Sequence, residues 1–144
     1  MVQSSYYDPI AGLYYDYPTG TNAVTGCVAP GADTGNSANC NGALNALTDI
    51  GAYALSDSPN GTFDQGGNVY EWHEQIKFGS ARGLRGGSWY FDPVILAAGY
   101  SIFDGPTGEY DKVGFRVASI PEPSTALLVL TGLGSLALRH RRRG

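Results

Sequence analysis

The sequence predicts an irregular, coil-rich domain of short strands, followed by a short and wholly apolar helix. Composition is the first reason. Gly occurs 21 times and Tyr 10 times in 144 residues, so turns are frequent and aromatic packing is expected. Only 15% of residues are charged, against about 25% in an ordinary domain, which argues against long amphipathic surface helices. The third reason is residues 125–138, which carry no charge and end against a cluster of arginines. The length suits one small domain.

Residues 6–55 are rich in Gly, Asn, Asp and Thr and read as loops, with residues 43–47 a short candidate for order. Asn60-Gly61-Thr62 matches a glycosylation acceptor and reads better as an Asn-Gly turn. Gly66-Gly67-Asn68-Val69-Tyr70-Glu71-Trp72 is a turn running into an extended segment. There Val69 and Glu71 would share one face, and Tyr70 and Trp72 the other. Arg82-Gly83-Leu84-Arg85-Gly86-Gly87-Ser88-Trp89-Tyr90 reads as a strand with a glycine kink. Gly114-Phe115-Arg116-Val117-Ala118 reads as a closing strand. Gly105-Pro106-Thr107-Gly108 lacks the Gly-Lys-Ser/Thr of a phosphate loop and reads as a turn. No internal repeat is visible.

The domain divides from a tail at about residue 118. The tail (119–144) has three parts. Pro121-Glu122-Pro123-Ser124 is a rigid polar break, in which Ser124 can cap the apolar segment behind it. Residues 125–138 then form an apolar segment of about 21 Å as a helix, short for a hydrocarbon core of about 30 Å. Arg139, Arg141, Arg142 and Arg143 close the chain and belong on the cytoplasmic side of a membrane. These four arginines mask an acidic body: net charge is −4 overall and −8 without them. Such a body excludes nucleic acid as a partner, because phosphate binding needs clustered cations.

Only two cysteines occur, Cys27 and Cys40. They either close a loop worth about 3 kcal/mol or stand as two thiols. Zinc spacing is absent around them. His73 beside Trp72 reads as an exposed histidine rather than a partner of Ser88 in a triad. Arg116 would pair with Asp111 or Glu109, or bind a carboxylate. The tyrosines at 6, 7, 14, 15 and 17 read as packing residues, with a glycan groove as the alternative.

In its order of motif, apolar span and basic end, the tail resembles the PEP-CTERM sorting signal of Gram-negative bacteria. The resemblance implies recognition by an exosortase at the inner membrane. It also implies release to the cell surface or extracellular space, and an association with extracellular polysaccharide. An exported chain needs an N-terminal signal. Residues 1–7 have neither a basic nor an apolar region, so a fragment or an internal start is expected.

The three body clusters together resemble the formylglycine-generating enzyme (sulfatase-modifying factor) family. Its pattern is Gly-Asn-x-x-Glu-Trp, then Arg-Gly-Gly-Ser-aromatic, then Gly-Phe-Arg. The likeness covers about residues 6–118, the C-terminal part of a family domain. It implies an irregular α+β fold related to C-type lectins. Family enzymes bind copper(I) through a cysteine pair just after the Gly-Gly-Ser strand. Here that stretch, residues 89–96, contains no cysteine, so copper and formylglycine synthesis are not expected. Instead the chain is expected to be a non-catalytic surface module. The alternative is a formylglycine-type or iron-dependent oxidase completed by a lost N-terminal part. The family also implies calcium, held here by the side chains of Asp64 and Glu71 and the carbonyls of Gly67 and Val69. The competing arrangement is Glu71 paired with Arg82 or Arg85, and Asp64 capping its own turn.

Overall fold

The computed structural model describes residues 5–116. Residues 117–144, on which the expected sorting motif, apolar helix and basic end fall, lie outside the described residues. Among those described, no helix is long and apolar enough to cross a membrane. The fold is mostly coil and strand.

Side-chain hydrogen bonds organise the loop half of the domain. Strands β1 (Tyr7–Asp8) and β2 (Leu13–Tyr14) form a small antiparallel hairpin. The Asp8 carboxylate closes its turn by accepting the N–H groups of Ile10 and Ala11 at 2.8 and 3.0 Å. Strands β3 (Gly26–Cys27) and β4 (Ser37–Ala38) pair in parallel, flanking a 3₁₀ turn at Pro30–Ala32. A disulfide joins Cys27 to Cys40 there, with Cα atoms 4.9 Å apart. Asp33 ties this pair to the next loop: it accepts from the Gly35 and Leu55 amides and from the Ser56 hydroxyl. Ser56 in turn accepts the Ser37 amide. Residues 43–47, expected to be ordered locally, form bends and coil and no helix or strand.

The second half is a four-stranded sheet in the order β7-β6-β5-β8. Strand β5 (Tyr70–Lys77) pairs antiparallel with β6 (Ala81–Arg85), with a bulge between His73 and Ile76. Strand β7 (Ile102–Asp104) extends the sheet beyond β6, and β8 (Val113–Gly114) runs parallel to β5 on the other side. The glycine kink expected within residues 82–90 falls after β6. Gly86 and Gly87 both have left-handed backbone, and the chain leaves the sheet there. A Cβ on Gly87 would stand 2.6 Å from the Leu96 side chain, so this close approach requires glycine. A 3₁₀ turn at Pro93–Leu96, capped by the Asp92 side chain, then delivers Ile95 and Leu96 to the core.

That core combines Tyr17, Ala38, Cys40, Tyr70, Leu84, Ile95 and Leu96. Alternation on β5 is as expected: Tyr70 is buried and Trp72 packs against the core. The early tyrosines act mainly as packing residues. Tyr6 and Tyr17 are buried, Tyr6 donates to the Leu96 carbonyl, and Tyr7 meets the exposed Tyr14 ring at a tilt. Burial pushes the hydroxyls of Tyr6 and Tyr70 up to about 12. The closing strand is shorter than expected; of the segment 114–118, Val117 and Ala118 lie outside the described residues.

Candidate functional site

The candidate site is the turn that leads into β5, together with the strand end that follows β6. Asp64, Gly67 and Asn68 all have positive φ (56°, 74° and 61°), so the backbone doubles back sharply before Val69. Neighbouring segments hold this turn. The Gly67 amide donates to the Gly86 carbonyl at 2.7 Å and the Asn68 amide to the Asn39 carbonyl at 2.8 Å. The Trp89 amide donates to the Asn68 carbonyl at 3.0 Å. A Cβ on Gly67 would stand 2.5 Å from the Asn39 carbonyl oxygen, which fixes glycine there. The Asn68 side chain bridges outward, accepting from Thr48 N–H and from the Asn39 side chain.

Sequence reading places Asp64, Gly67, Val69 and Glu71 together as metal donors, and they do occupy one continuous turn and strand start. Their present partners are specific. Asp64 accepts the Gly51 amide at 2.7 Å rather than capping its own turn. Glu71 accepts from Arg116 Nε, and the same guanidinium donates through Nη1 to the Phe63 carbonyl at 2.8 Å. The expected partners of both charges are therefore corrected. Glu71 does not pair with Arg82 or Arg85, whose guanidinium groups donate instead to the carbonyls of Glu74, and of Ala98 and Tyr100. Arg116 does not pair with Asp111 or Glu109. The cause is topology: β8 lies parallel beside β5 at Tyr70 and Glu71, which carries Arg116 back over Glu71.

Burial raises the Glu71 pKa, Arg116 opposes this through its hydrogen bond and charge, and the negative Asp64 adds to the rise. A cation therefore already sits against this acid. Carboxylate and carbonyl oxygens on a left-handed turn fit calcium in kind. Glu71 can join such a set only when Arg116 releases it. Among the described residues, no three His, Cys, Asp or Glu side chains come together as a metal cage.

The second element is the segment after β6. Ser88 is fully buried, and its hydroxyl has no hydrogen-bond partner among the described residues. His73 does not approach it as a base; its Nδ1 accepts the Gln75 amide at 3.3 Å. The expectation of an exposed His73 is also corrected. The ring is half-buried and its Nε2 is wholly so, because it lies against Gly83. Sequence spacing gave no signal for this, since the contact depends on cross-strand register. Trp89, Tyr90 and Phe91 follow Ser88 as an edge-to-face aromatic run, with Lys112 Nζ above the Tyr90 and Phe91 rings. No thiol lies in this run, and both cysteines of the chain are in the disulfide.

These features define a strand-and-loop domain whose turn, sheet and strand-end motifs meet at one place. The family model for the sulfatase-modifying factor enzyme 1-like domain matches residues 11–120, and the chain belongs to that family. The fold is formylglycine-generating-enzyme-like. Among solved structures, PvdO from Pseudomonas aeruginosa is similar at 23% identity and a TM-score of 0.48. The likeness covers 54% of this chain and 37% of PvdO, so the chain spans well under half of that protein's length. No curated protein matches the chain.

Proposed function

We propose that this chain is an exported surface or extracellular-matrix protein whose domain binds or organises rather than oxidises. One observation carries the proposal: the segment that bears the family's copper-binding thiols has none here, and Cys27 and Cys40 are bonded to each other. Copper(I) needs soft thiolate ligands, and none is free. The tail supports the location. Pro121-Glu122-Pro123-Ser124, an apolar span and four arginines have the order of a signal cut by an exosortase at the inner membrane. The partners proposed are that sorting enzyme, the membrane through residues 125–138, and extracellular polysaccharide. Calcium is proposed as the bound ion, on Asp64, Gly67 and Val69, with Glu71 joining when Arg116 lets go.

Family membership supports a second proposal, a formylglycine-type or iron-dependent oxidase completed by further N-terminal sequence. The experiment is to produce the protein in Gram-negative cells with and without an exosortase. Loss of the tail and appearance at the cell surface only when the enzyme is present, and not after Pro121→Ala with Glu122→Ala, supports the surface module. Retention in the membrane in both strains removes the sorting proposal. Oxygen uptake by the protein with a cysteine-containing peptide would replace the binding role with the oxidase.

A further inference from the structure

A single hydrogen bond controls the direction of one proposed calcium donor. The Gly67 carbonyl and the Asn68 N–H belong to the same planar trans peptide and point in opposite directions. Where that N–H is held, the carbonyl is held too. Its acceptor is the Asn39 carbonyl, at 2.8 Å. The Val69 carbonyl is aimed in the same way from another side, because the Tyr70 N–H donates to the Lys112 carbonyl at 2.8 Å. The chain entering β8 therefore orients one carbonyl, and Asn39 orients the other.

Asn39 is held by the residue beside it. It lies between β4 and Cys40 and is buried. Strands β3 and β4 pair over two residues each, too few to hold a parallel pair by hydrogen bonds alone. The disulfide supplies what that ladder cannot. It fixes Cys40, which has no exposed surface, to Cys27. Beyond Cys40 the Gly42 N–H donates to the Trp89 carbonyl at 2.8 Å, and the Trp89 N–H donates to the Asn68 carbonyl at 3.0 Å. Asn39, Asn68, Trp89 and Gly42 thus form a closed circuit of backbone bonds, and the disulfide enters it at Cys40.

We propose that the Cys27–Cys40 disulfide is a redox switch on the calcium turn. Closed, it aims the Gly67 carbonyl through Asn39; reduced, it lets that donor turn away. The switch rests on calcium as the bound ion, whereas the hold of the bond on the turn does not. Closing the bond takes two electrons and two protons from the two thiols. A disulfide oxidant receives them by thiol exchange and leaves as a dithiol. Reducing compartments keep such thiols apart, and oxidising ones join them. The donor turn is then set only once the chain has left the cytoplasm.

Coupling between two sites is reciprocal, which gives the test two independent arms. Calorimetry of the full chain measures calcium affinity with the bond closed and after reduction by dithiothreitol. Reduction is expected to weaken binding about 5- to 150-fold, and re-oxidation to restore it. Calcium must then make the bond harder to reduce by the same factor, read as the reduced fraction in a dithiothreitol redox buffer. Asp64→Asn should abolish that effect. Hydrogen exchange supplies a reading without calcium: in the reduced chain the Asn68 amide should exchange faster and the Tyr70 amide at its former rate. Equal calcium affinity in both redox states overturns the switch. So does a bond whose reduction is indifferent to calcium that binds. A reduced chain with no cooperative melt also overturns it, because the bond then holds the whole domain and not the turn. No calcium binding in the closed form removes the calcium reading and the switch with it, and the Asn68 amide then decides whether the bond holds the turn.

Discussion

The imidazole of His73 lies against the backbone of Gly83 across the β5–β6 pair, in the space a side chain at residue 83 would need. A Cβ there would stand 2.1 Å from His73 Nε2 and 2.2 Å from Cε1. Gly83→Ala must therefore push the ring out toward water, at a cost of about 1–3 kcal/mol, as for other overpacked sites. The cost should nearly vanish in a His73→Ala background. Chemical denaturation of the two single variants and the double variant measures the coupling. Additive losses would mean that the ring does not rest on Gly83.

The same ring gives stability a pH dependence. Burial lowers the His73 pKa, and the positive Arg85 lowers it further. The unfolded chain therefore takes up a proton near the ordinary value of about 6.5, while the folded chain does not. His73 contributes full stability above that value. Its contribution falls as pH drops through about 6.5 toward the folded pKa. The melting midpoint should decline from about pH 7.5 to 5.5 in the parent and decline less in His73→Gln. Parallel profiles for the two proteins would remove His73 as the cause.

Arg116→Met leaves the Glu71 carboxylate, with only 14% of its side chain exposed, without its counter-ion. Removing one partner of such a pair costs about 1–3 kcal/mol of stability, read as a lower urea midpoint. The sign with pH is diagnostic. Without Arg116, burial acts on Glu71 unopposed and its pKa rises further. The variant should then recover stability as pH falls through that raised value, because the folded state protonates first. Glu71→Gln in the same chain should abolish the recovery.

Much of the site was legible in the sequence. Residues 66–72 read as a turn into a strand with Tyr70 and Trp72 on one face, because a period of two survives in so short a segment. The kink at Gly86-Gly87 was legible for a similar reason: paired glycines mark left-handed backbone. Partners were not legible. Closeness in sequence sets Arg116 against Asp111 or Glu109, whereas β8 carries it to Glu71, 45 residues away. In sequence His73 reads as exposed, because nothing in the chain announces that Gly83 lies opposite. Residues 43–47 carry Leu44 and Leu47 and read as a short ordered piece, but both side chains stay exposed and no strand pairs with the segment.

The disulfide should matter to the loop half more than to the sheet. Cys27 and Cys40 are 13 residues apart, and a loop of that size contributes about 3 kcal/mol. Reduction should lower the thermal midpoint and expose the amides of β3 and β4 to hydrogen exchange before those of β5 and β6. Uniform exchange across both halves would mean that the domain opens as a single unit.

Calcium divides the two groups that face each other at the candidate site. If the ion takes Asp64 with the Gly67 and Val69 carbonyls, it must raise the melting midpoint of the full chain over that in excess chelator. A hundredfold excess over the dissociation constant adds about 2.7 kcal/mol. Asp64→Asn retains an acceptor for the Gly51 amide but loses the charge, so the response should disappear while the metal-free midpoint moves little. Arg116→Met should act in the opposite direction. It frees Glu71 to join the donor set, so calcium binds more tightly although the metal-free protein is less stable. A response unchanged by Asp64→Asn would put the ion elsewhere. No response in the parent, with a strong one in Arg116→Met, would mean that the guanidinium holds the cation's place in the native protein.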